Sequence, residues 1–240
     1  MLPSDLPECV ACIGFFDSLH RGHQHLIRRC IDEAETLDLP PVLICFDKDP
    51  LEVIIGKPQM HILSYQERID RISEAGIRSI IMFEFDERFM NIDQHTFVSE
   101  YLNKMHLRKL ICGFDFHFGY QGSGDTETLR QEGSFETIVI SQISYEHQKI
   151  SSSRIKEEIG RGNLRLVERL LGYKYYLNAT VTNIEKSGEK RFVHAKPADR
   201  YKVLPPDGLY HDGNIVIKGN EIILEYLDSC QPGDTIRLEF

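Results

Sequence analysis

The sequence has no apolar run approaching the ~18 residues at which a helix becomes a candidate to cross a bilayer, so no transmembrane helix and no membrane partner are expected. It has no surplus of positive charge. The formal net charge of −9 argues against a general nucleic-acid binder, which carries a basic patch or stripe. A local positive pocket for a small nucleotide remains compatible with that balance. The opening residues Met1-Leu2-Pro3-Ser4-Asp5-Leu6-Pro7 lack a charged start and an apolar stretch, so they are not expected to act as a signal peptide. Cysteine is present without metal-ligand spacing. Cys9 and Cys12 form a C-x-x-C, but no second such pair exists, and along a strand these two side chains face opposite ways. Most of the six cysteines sit in apolar stretches, where a free thiol behaves as a small hydrophobe. A reduced, cytoplasmic protein is the expectation. With 240 residues, 41% hydrophobic and 27% charged, the chain reads as ordinary globular protein with room for a large domain and a small one.

The chain is organised around Gly14-Phe15-Phe16-Asp17-Ser18-Leu19-His20-Arg21-Gly22-His23. An apolar run, Cys9 to Phe15, ends in a polar, glycine-containing turn, and a helical pattern follows at once in Leu26, Ile27, Cys30, Ile31 and Ala34. A helix N-terminus presents unpaired N–H groups and the positive end of a dipole, which suits phosphate. Residues three apart on a first turn point the same way, so His20 and His23 can both reach phosphoryl oxygens.

Strands and helices then alternate. Val42–Phe46 reads as a buried strand ending in Asp47-Lys48-Asp49-Pro50. A helix follows Ser64, with Glu67 completing a capping box, and stops at Gly76. Ser79–Phe85, Lys109–Gly113 and Glu136–Ser144 read as strands, and Thr96–Met105 as a helix. This alternation implies an α/β fold with a parallel sheet, helices on both faces and ligands at the carboxyl ends of the strands. After the strand at Lys109, the run from Gly113 to Asp125 alternates Phe114, Phe116 and Phe118 among glycines, an aromatic, bendable loop suited to covering a planar ring. Lys149-Ile150-Ser151-Ser152-Ser153-Arg154-Ile155-Lys156 opens another helix, where first-turn hydroxyls can cap or donate to phosphate and nearby cations neutralise it. Asn163–Leu171 is one more helix, stopped by Gly172. From Tyr175 short strands follow, with Ser187-Gly188, Asp212-Gly213 and Gly219-Asn220 as turns and one strand running from Glu221 to Leu227. They make a small antiparallel barrel or sandwich.

His20-Arg21-Gly22-His23 resembles the H-x-G-H signature of nucleotidyltransferases, whose fold is Rossmann-like. With Phe16-Asp17 before it, the run is similar to the F-D-G-x-H-x-G-H of the prokaryotic FAD synthetases. Ser18 stands where the family has glycine, so the turn must avoid a glycine-only angle or carry strain. The Phe46-Asp47…Pro50 loop resembles the family's F-D-P-H-P, with Lys48 and Asp49 departing from it. Gly113–Gly119 with Gly124-Asp125 resembles G-x-[ND]-F-x-F-G followed by G-D. Ile150–Lys156 resembles I-S-S-T-x-x-R, with Ser153 at the threonine, Lys156 at the last arginine and Lys149 at an arginine often found before the run. Lysine keeps the charge and loses the bidentate fork.

The resemblance implies FMN adenylyltransferase activity on ATP and FMN, with Mg²⁺ arriving on ATP and no metal ligands from the protein. It implies His20, His23, Ser152, Ser153 and Lys156 as the catalytic set. It places Gly14, Phe15, Phe16, Asp17, Gly22, Ser152, Ser153, Arg154 and Lys156 on the ATP side. Asp47, Pro50, Asp115, Phe116, Phe118 and Asp125 fall on the FMN side. The implied domains are a nucleotidyltransferase over 1–172 and a shortened riboflavin-kinase-like β domain over 173–240. Leu204-Pro205-Pro206-Asp207-Gly208-Leu209-Tyr210 matches that kinase's strand entry, while its G-F-P-T-A-N run has no counterpart, so FAD without FMN synthesis is the expectation. Two alternatives stay open: a nucleotidyltransferase for another small phosphate, and a flavin- or nucleotide-binding paralogue without catalysis. The sequence leaves the oligomeric state open.

Overall fold

The computed structural model describes residues 7–188, 190–211, 213–225 and 229–240. The N-terminal segment through Leu6, Asp212 of one expected turn and the end of the strand expected to reach Leu227 lie outside the described residues. Contacts divide the chain into two compact units, one of residues up to Gln59 with Tyr65–Ile150, the other of Met60–Ser64 with Ser151–Phe240.

The first unit begins with β1 (Cys9–Ile13), α1 (Arg21–Leu37), β2 (Pro41–Phe46), α2 (Pro50–Ile55), α3 (Tyr65–Glu74) and β3 (Ser79–Phe83). It continues with α4 (Glu87–Met90), α5 (Gln94–Thr96), β4 (Leu107–Gly113), α6 (Thr126–Glu132), β5 (Glu136–Ile140) and a two-stranded hairpin of β6 (Ser144–Tyr145) and β7 (Gln148–Lys149). Five strands form a parallel sheet in the order β3-β2-β1-β4-β5. All of β1 is buried, as a central parallel strand covered on both faces must be. The order reverses direction between β1 and β4, which opens a crevice beyond their carboxyl ends. The loop bearing both histidines follows β1, and the aromatic, glycine-rich loop follows β4.

Several boundaries differ from the sequence reading for physical reasons. β3 ends at Phe83 because the Phe85 N–H leaves the ladder and donates to Asp47 Oδ1 at 2.8 Å. The helix expected over Thr96–Met105 is α5 followed by a π-helical turn, Phe97–Leu102, in which Asn103 N–H reaches Val98 O. That wider turn lets Phe97, Val98 and Leu102 all enter the core beside Phe83, Met105 and Phe118. β5 ends at Ile140, and Ser144 turns instead into the β6–β7 hairpin. Its two central residues, Glu146 and His147, have φ of 52° and 61°, the backbone that a two-residue hairpin requires.

The second unit holds α7 (Ser152–Gly160), α8 (Leu164–Leu171) and β8 (Tyr176–Ser187), β9 (Lys190–Pro197), β10 (Gly208–Tyr210), β11 (Ile215–Lys218), β12 (Glu221–Glu225) and β13 (Thr235–Glu239). Gly172, with φ 80°, closes α8 as expected of a glycine stop. The six strands form one antiparallel sheet in the order β10-β11-β12-β9-β8-β13. It is a curled half-barrel with β10 and β13 at its edges. Side chains join those edges: His211 Nε2 meets the Glu239 carbonyl oxygen at 2.6 Å, and Tyr210 packs edge-on to Phe240. Met60–Ser64 is stitched into the same unit, His61 forming a parallel bridge to Lys202. Among the described residues, no helix is long and apolar enough to cross a membrane.

Candidate active site

β1 ends at Gly14, whose N–H still reaches Ile44 O of β2, and the chain then turns sharply into α1. Ser18, at the family's glycine position, is fully buried and lies outside the left-handed region. The left-handed backbone sits instead at Phe16 (φ 58°) and Leu19 (φ 40°), both buried. For residues of this bulk that conformation costs roughly 1–2 kcal/mol each. It delivers His20 to the first position of α1, where the ring caps the helix: Nδ1 accepts the His23 backbone N–H at 3.1 Å.

The two imidazoles are stacked, with centroids 3.8 Å apart and planes 7° from parallel. Gly22 makes this possible, because a Cβ there would lie 3.0 Å from His20 Cε1. Phe16 meets His23 edge-on at 5.1 Å. Burial lowers the His20 pKa from 6.5 to about 4; Lys149 pushes the same way, and Asp17 and Asp115 push back. Burial also holds His23 well below its ordinary value, with the His20 charge adding to it. Both rings are therefore neutral at pH 7. Since His20 Nδ1 is an acceptor, its proton resides on Nε2, which is left as a donor. His23 Nδ1 is buried with no hydrogen-bond partner among the described residues, and a buried polar atom in that state costs free energy unless a ligand meets it.

The depressed value has a consequence for stability. The unfolded chain protonates this histidine near 6.5 and the folded chain resists until about 4. Protons therefore favour unfolding across that window, and stability falls as pH drops through it, by up to about 3 kcal/mol for His20. His20→Asn, which keeps a capping oxygen, is expected to flatten the fall. Urea midpoints measured from pH 7 to pH 4 check this; identical slopes in both proteins would contradict it.

On the other side of the crevice Asp115 is paired with Lys149, whose ammonium also lies 5.1 Å from the centre of the Phe114 ring. Phe116 is half-buried and stacks on Phe118 at 5.6 Å. Three of the residues expected to meet the acceptor are used to hold loops. Phe118 is buried against Phe97 in the core. Asp125 caps α6, accepting the Glu127 and Thr128 N–H groups, which pull its pKa down. Asp47 gives one carboxylate oxygen to the Phe85 N–H. Asp49, a departure from the family's pattern, accepts the Leu51 N–H as N-cap of α2, with Pro50 at the first helical position.

The sequence reading missed Arg68. Its side chain, 3% exposed on α3, donates to Phe15 O at 3.0 Å and to Phe46 O and Asp47 O at 2.9 and 3.2 Å. One signal pointed to it: Arg68 lies one turn before Ile72, on the stripe of α3 that faces the core.

In the second unit the serine run divides its tasks. Ser151 is the N-cap of α7, accepting the Arg154 N–H at 3.3 Å, which places Ser152 and Ser153 on the first turn. Ser153 is exposed, while Ser152, Arg154 and Lys156 are half-buried.

Comparison with known proteins agrees with this arrangement. The sequence profile of the FAD synthetase family matches residues 2–154. The bifunctional riboflavin kinase/FMN adenylyltransferase of Listeria monocytogenes is 29% identical over 75% of this chain and 58% of its own length. The protein of the same name from Escherichia coli K12 is 30% identical over 84% of this chain and 66% of its own. The chain thus spans about three fifths to two thirds of the relatives it matches. A crystal structure described as a macrolide-efflux protein from Streptococcus pneumoniae superposes with a TM-score of 0.84 over 96% of this chain and 83% of that one, at 23% identity, a likeness of fold. A profile match over more than half of the residues, on the segment that carries the histidine turn and the aromatic loop, places this chain in the FAD synthetase family.

Proposed function

We propose that this chain is an FMN adenylyltransferase, moving AMP from ATP to FMN. A phosphate oxygen of FMN attacks the α-phosphorus of ATP. That new P–O bond forms as the bond to the β-phosphate bridging oxygen breaks, giving FAD and pyrophosphate. No covalent enzyme intermediate is required, so the protein contributes positioning and charge stabilisation. The observation that carries the reading is the neutral, stacked His20–His23 pair at the N-terminus of α1, with His23 Nδ1 buried and unpartnered. His20 Nε2–H donates to phosphoryl oxygens, and His23 supports the α-phosphoryl group as charge builds on it. Gly14, Phe15, Phe16, Asp17 and Gly22 shape the ATP side. Pro50, Asp115 and Phe116 belong to the FMN side, and Asp47, Phe118 and Asp125 support it by holding its loops.

By their match to the family's serine run, Ser152, Ser153, Arg154 and Lys156 are assigned to the leaving pyrophosphate. Mg²⁺ enters with ATP as part of the substrate. In this reading the nucleotidyltransferase domain is 1–172, and 173–240 is a riboflavin-kinase-like β domain. All six thiols are free, in keeping with a reducing, cytoplasmic setting. Incubation with FMN, ATP and Mg²⁺ followed by chromatography tests the reading: FAD and pyrophosphate should appear together. Their absence, or transfer to a different small phosphate in preference to FMN, would refute it.

Two expected outcomes follow. Lys156→Arg restores the fork of the family pattern, so it should be tolerated or lower the KM for ATP. Lys156→Ala should raise the KM for ATP more than that for FMN. Steady-state kinetics in both substrates decide, since equal changes in the two would indicate a general structural loss. Riboflavin with ATP should yield no FMN above background, because phosphorylating riboflavin needs a second ATP site and the G-F-P-T-A-N run that builds one is missing from residues 173–240. Ordinary turnover of riboflavin to FMN would show that the half-barrel holds a kinase site of another kind.

A further inference from the structure

β1 and β2 run side by side as far as Ile13 opposite Ile44 and the Gly14-to-Ile44 bond. Past that point their ladder ends. The first loop carries Phe15 towards the histidines, while Asp47 N–H turns away to Phe83 O on β3. Arg68 spans the two loops. One terminal nitrogen of its guanidinium holds the Phe15 carbonyl; the other holds the Phe46 and Asp47 carbonyls. Its plane also lies 4.7 Å from the centre of the Phe15 ring. The carbonyl it holds in the first loop immediately precedes Phe16, the residue forced to positive φ. A buried cation serving three carbonyls on two loops is a costly device for stability alone, since an apolar side chain would fill the same space without desolvating a charge.

We infer that Arg68 is a positioning residue for the transfer reaction, fixing the loop that carries the nucleotide-side residues against the loop that begins the acceptor side. The fork is essential to this role. Two nitrogens set at a fixed separation impose a distance between the loops, which a single ammonium cannot do. Holding the loops in register matters most when two substrates must meet in line. A misplacement on the order of 1 Å costs about 10²-fold in rate. Loss of the fork should therefore lower turnover while each substrate still finds its own loop.

The kinetic arm of this inference rests on the adenylyltransferase reading; the structural arm does not. The test compares Arg68→Lys and Arg68→Gln with the wild-type chain. Turnover and both KM values are measured beside the melting temperature and hydrogen exchange of peptides covering 13–20 and 44–51. The expected result for Arg68→Lys is a kcat about 10- to 100-fold lower, KM values for ATP and FMN within about threefold of wild type, and faster exchange in both loops together. Arg68→Gln, which has two N–H groups on one nitrogen, should behave alike. Wild-type kcat with a lowered melting temperature would make Arg68 a stability residue and overturn the inference, as would failure of both variants to fold. A large KM rise for one substrate, or faster exchange in one loop only, would overturn it too. If the wild-type chain makes no FAD, the functional reading fails by itself, and paired or unpaired loosening of the two loops still decides the role of Arg68.

Discussion

His23→Ala is expected to lower the rate of FAD formation about 10²–10³-fold, the usual loss when one preorganised group facing a developing charge is removed. The fold should survive. The backbone N–H of residue 23 remains to be capped by His20 Nδ1, and Gln24 N–H still reaches His20 O. Two stability effects oppose each other. The stack on His20 and the edge contact with Phe16 are lost, while a buried nitrogen without a partner is removed. Because the ring acts on the transferring phosphoryl group, the loss should fall on kcat and kcat/KM together. His20→Ala should lose a similar amount of rate, with added instability from the missing cap. Turnover and a melting curve measured on the same preparation settle the matter: wild-type turnover with a normal melt would remove His23 from phosphate handling.

The parts of this site that could be read in the sequence are those built from neighbours in the chain. Strand, turn and helix follow one another within Cys9–Ala34, so periodicity and the H-x-G-H spacing were enough to place both histidines on one first turn. The glycine in that motif is explained by an equally local contact, since a methyl group at Gly22 would strike the His20 ring. What escaped was set by residues far apart. Nothing in Phe16 or Leu19 favours positive φ; packing of both side chains in the core overrides their preference. Arg68 finds its acceptors 53, 22 and 21 residues away, so its helix reads as an ordinary amphipathic one until those partners are known. The alternation of Phe114, Phe116 and Phe118 shows that they differ in facing. Only the core around Phe97 determines that Phe118 is the buried one.

A chain ending at Gly172 is expected to be too unstable to test as an isolated catalytic domain, although the family pattern makes that boundary look natural. The reason lies in Met60–Ser64, which is grouped with the second unit even though it lies between α2 and α3 of the first. His61 N–H donates to Tyr201 O at 2.8 Å, Val203 N–H returns to His61 O at 2.9 Å, and the His61 ring meets Asp199 at 2.7 Å. Ile62 and Leu63 are almost completely buried. Cutting at Gly172 removes every one of these partners. Two aliphatic side chains returned to water and two backbone hydrogen bonds lost amount to about 5 kcal/mol, comparable with the whole stability of many domains. The damage would start immediately before α3, the helix that carries Arg68 to the two site loops. Urea unfolding of the 1–172 fragment beside the full chain, with hydrogen exchange over residues 60–68, measures it directly. The expected result is loss of protection in that segment and a midpoint lowered by several kcal/mol equivalent. A fragment that melts within a few degrees of the full chain and keeps residues 60–68 protected would show that the segment is held without the half-barrel.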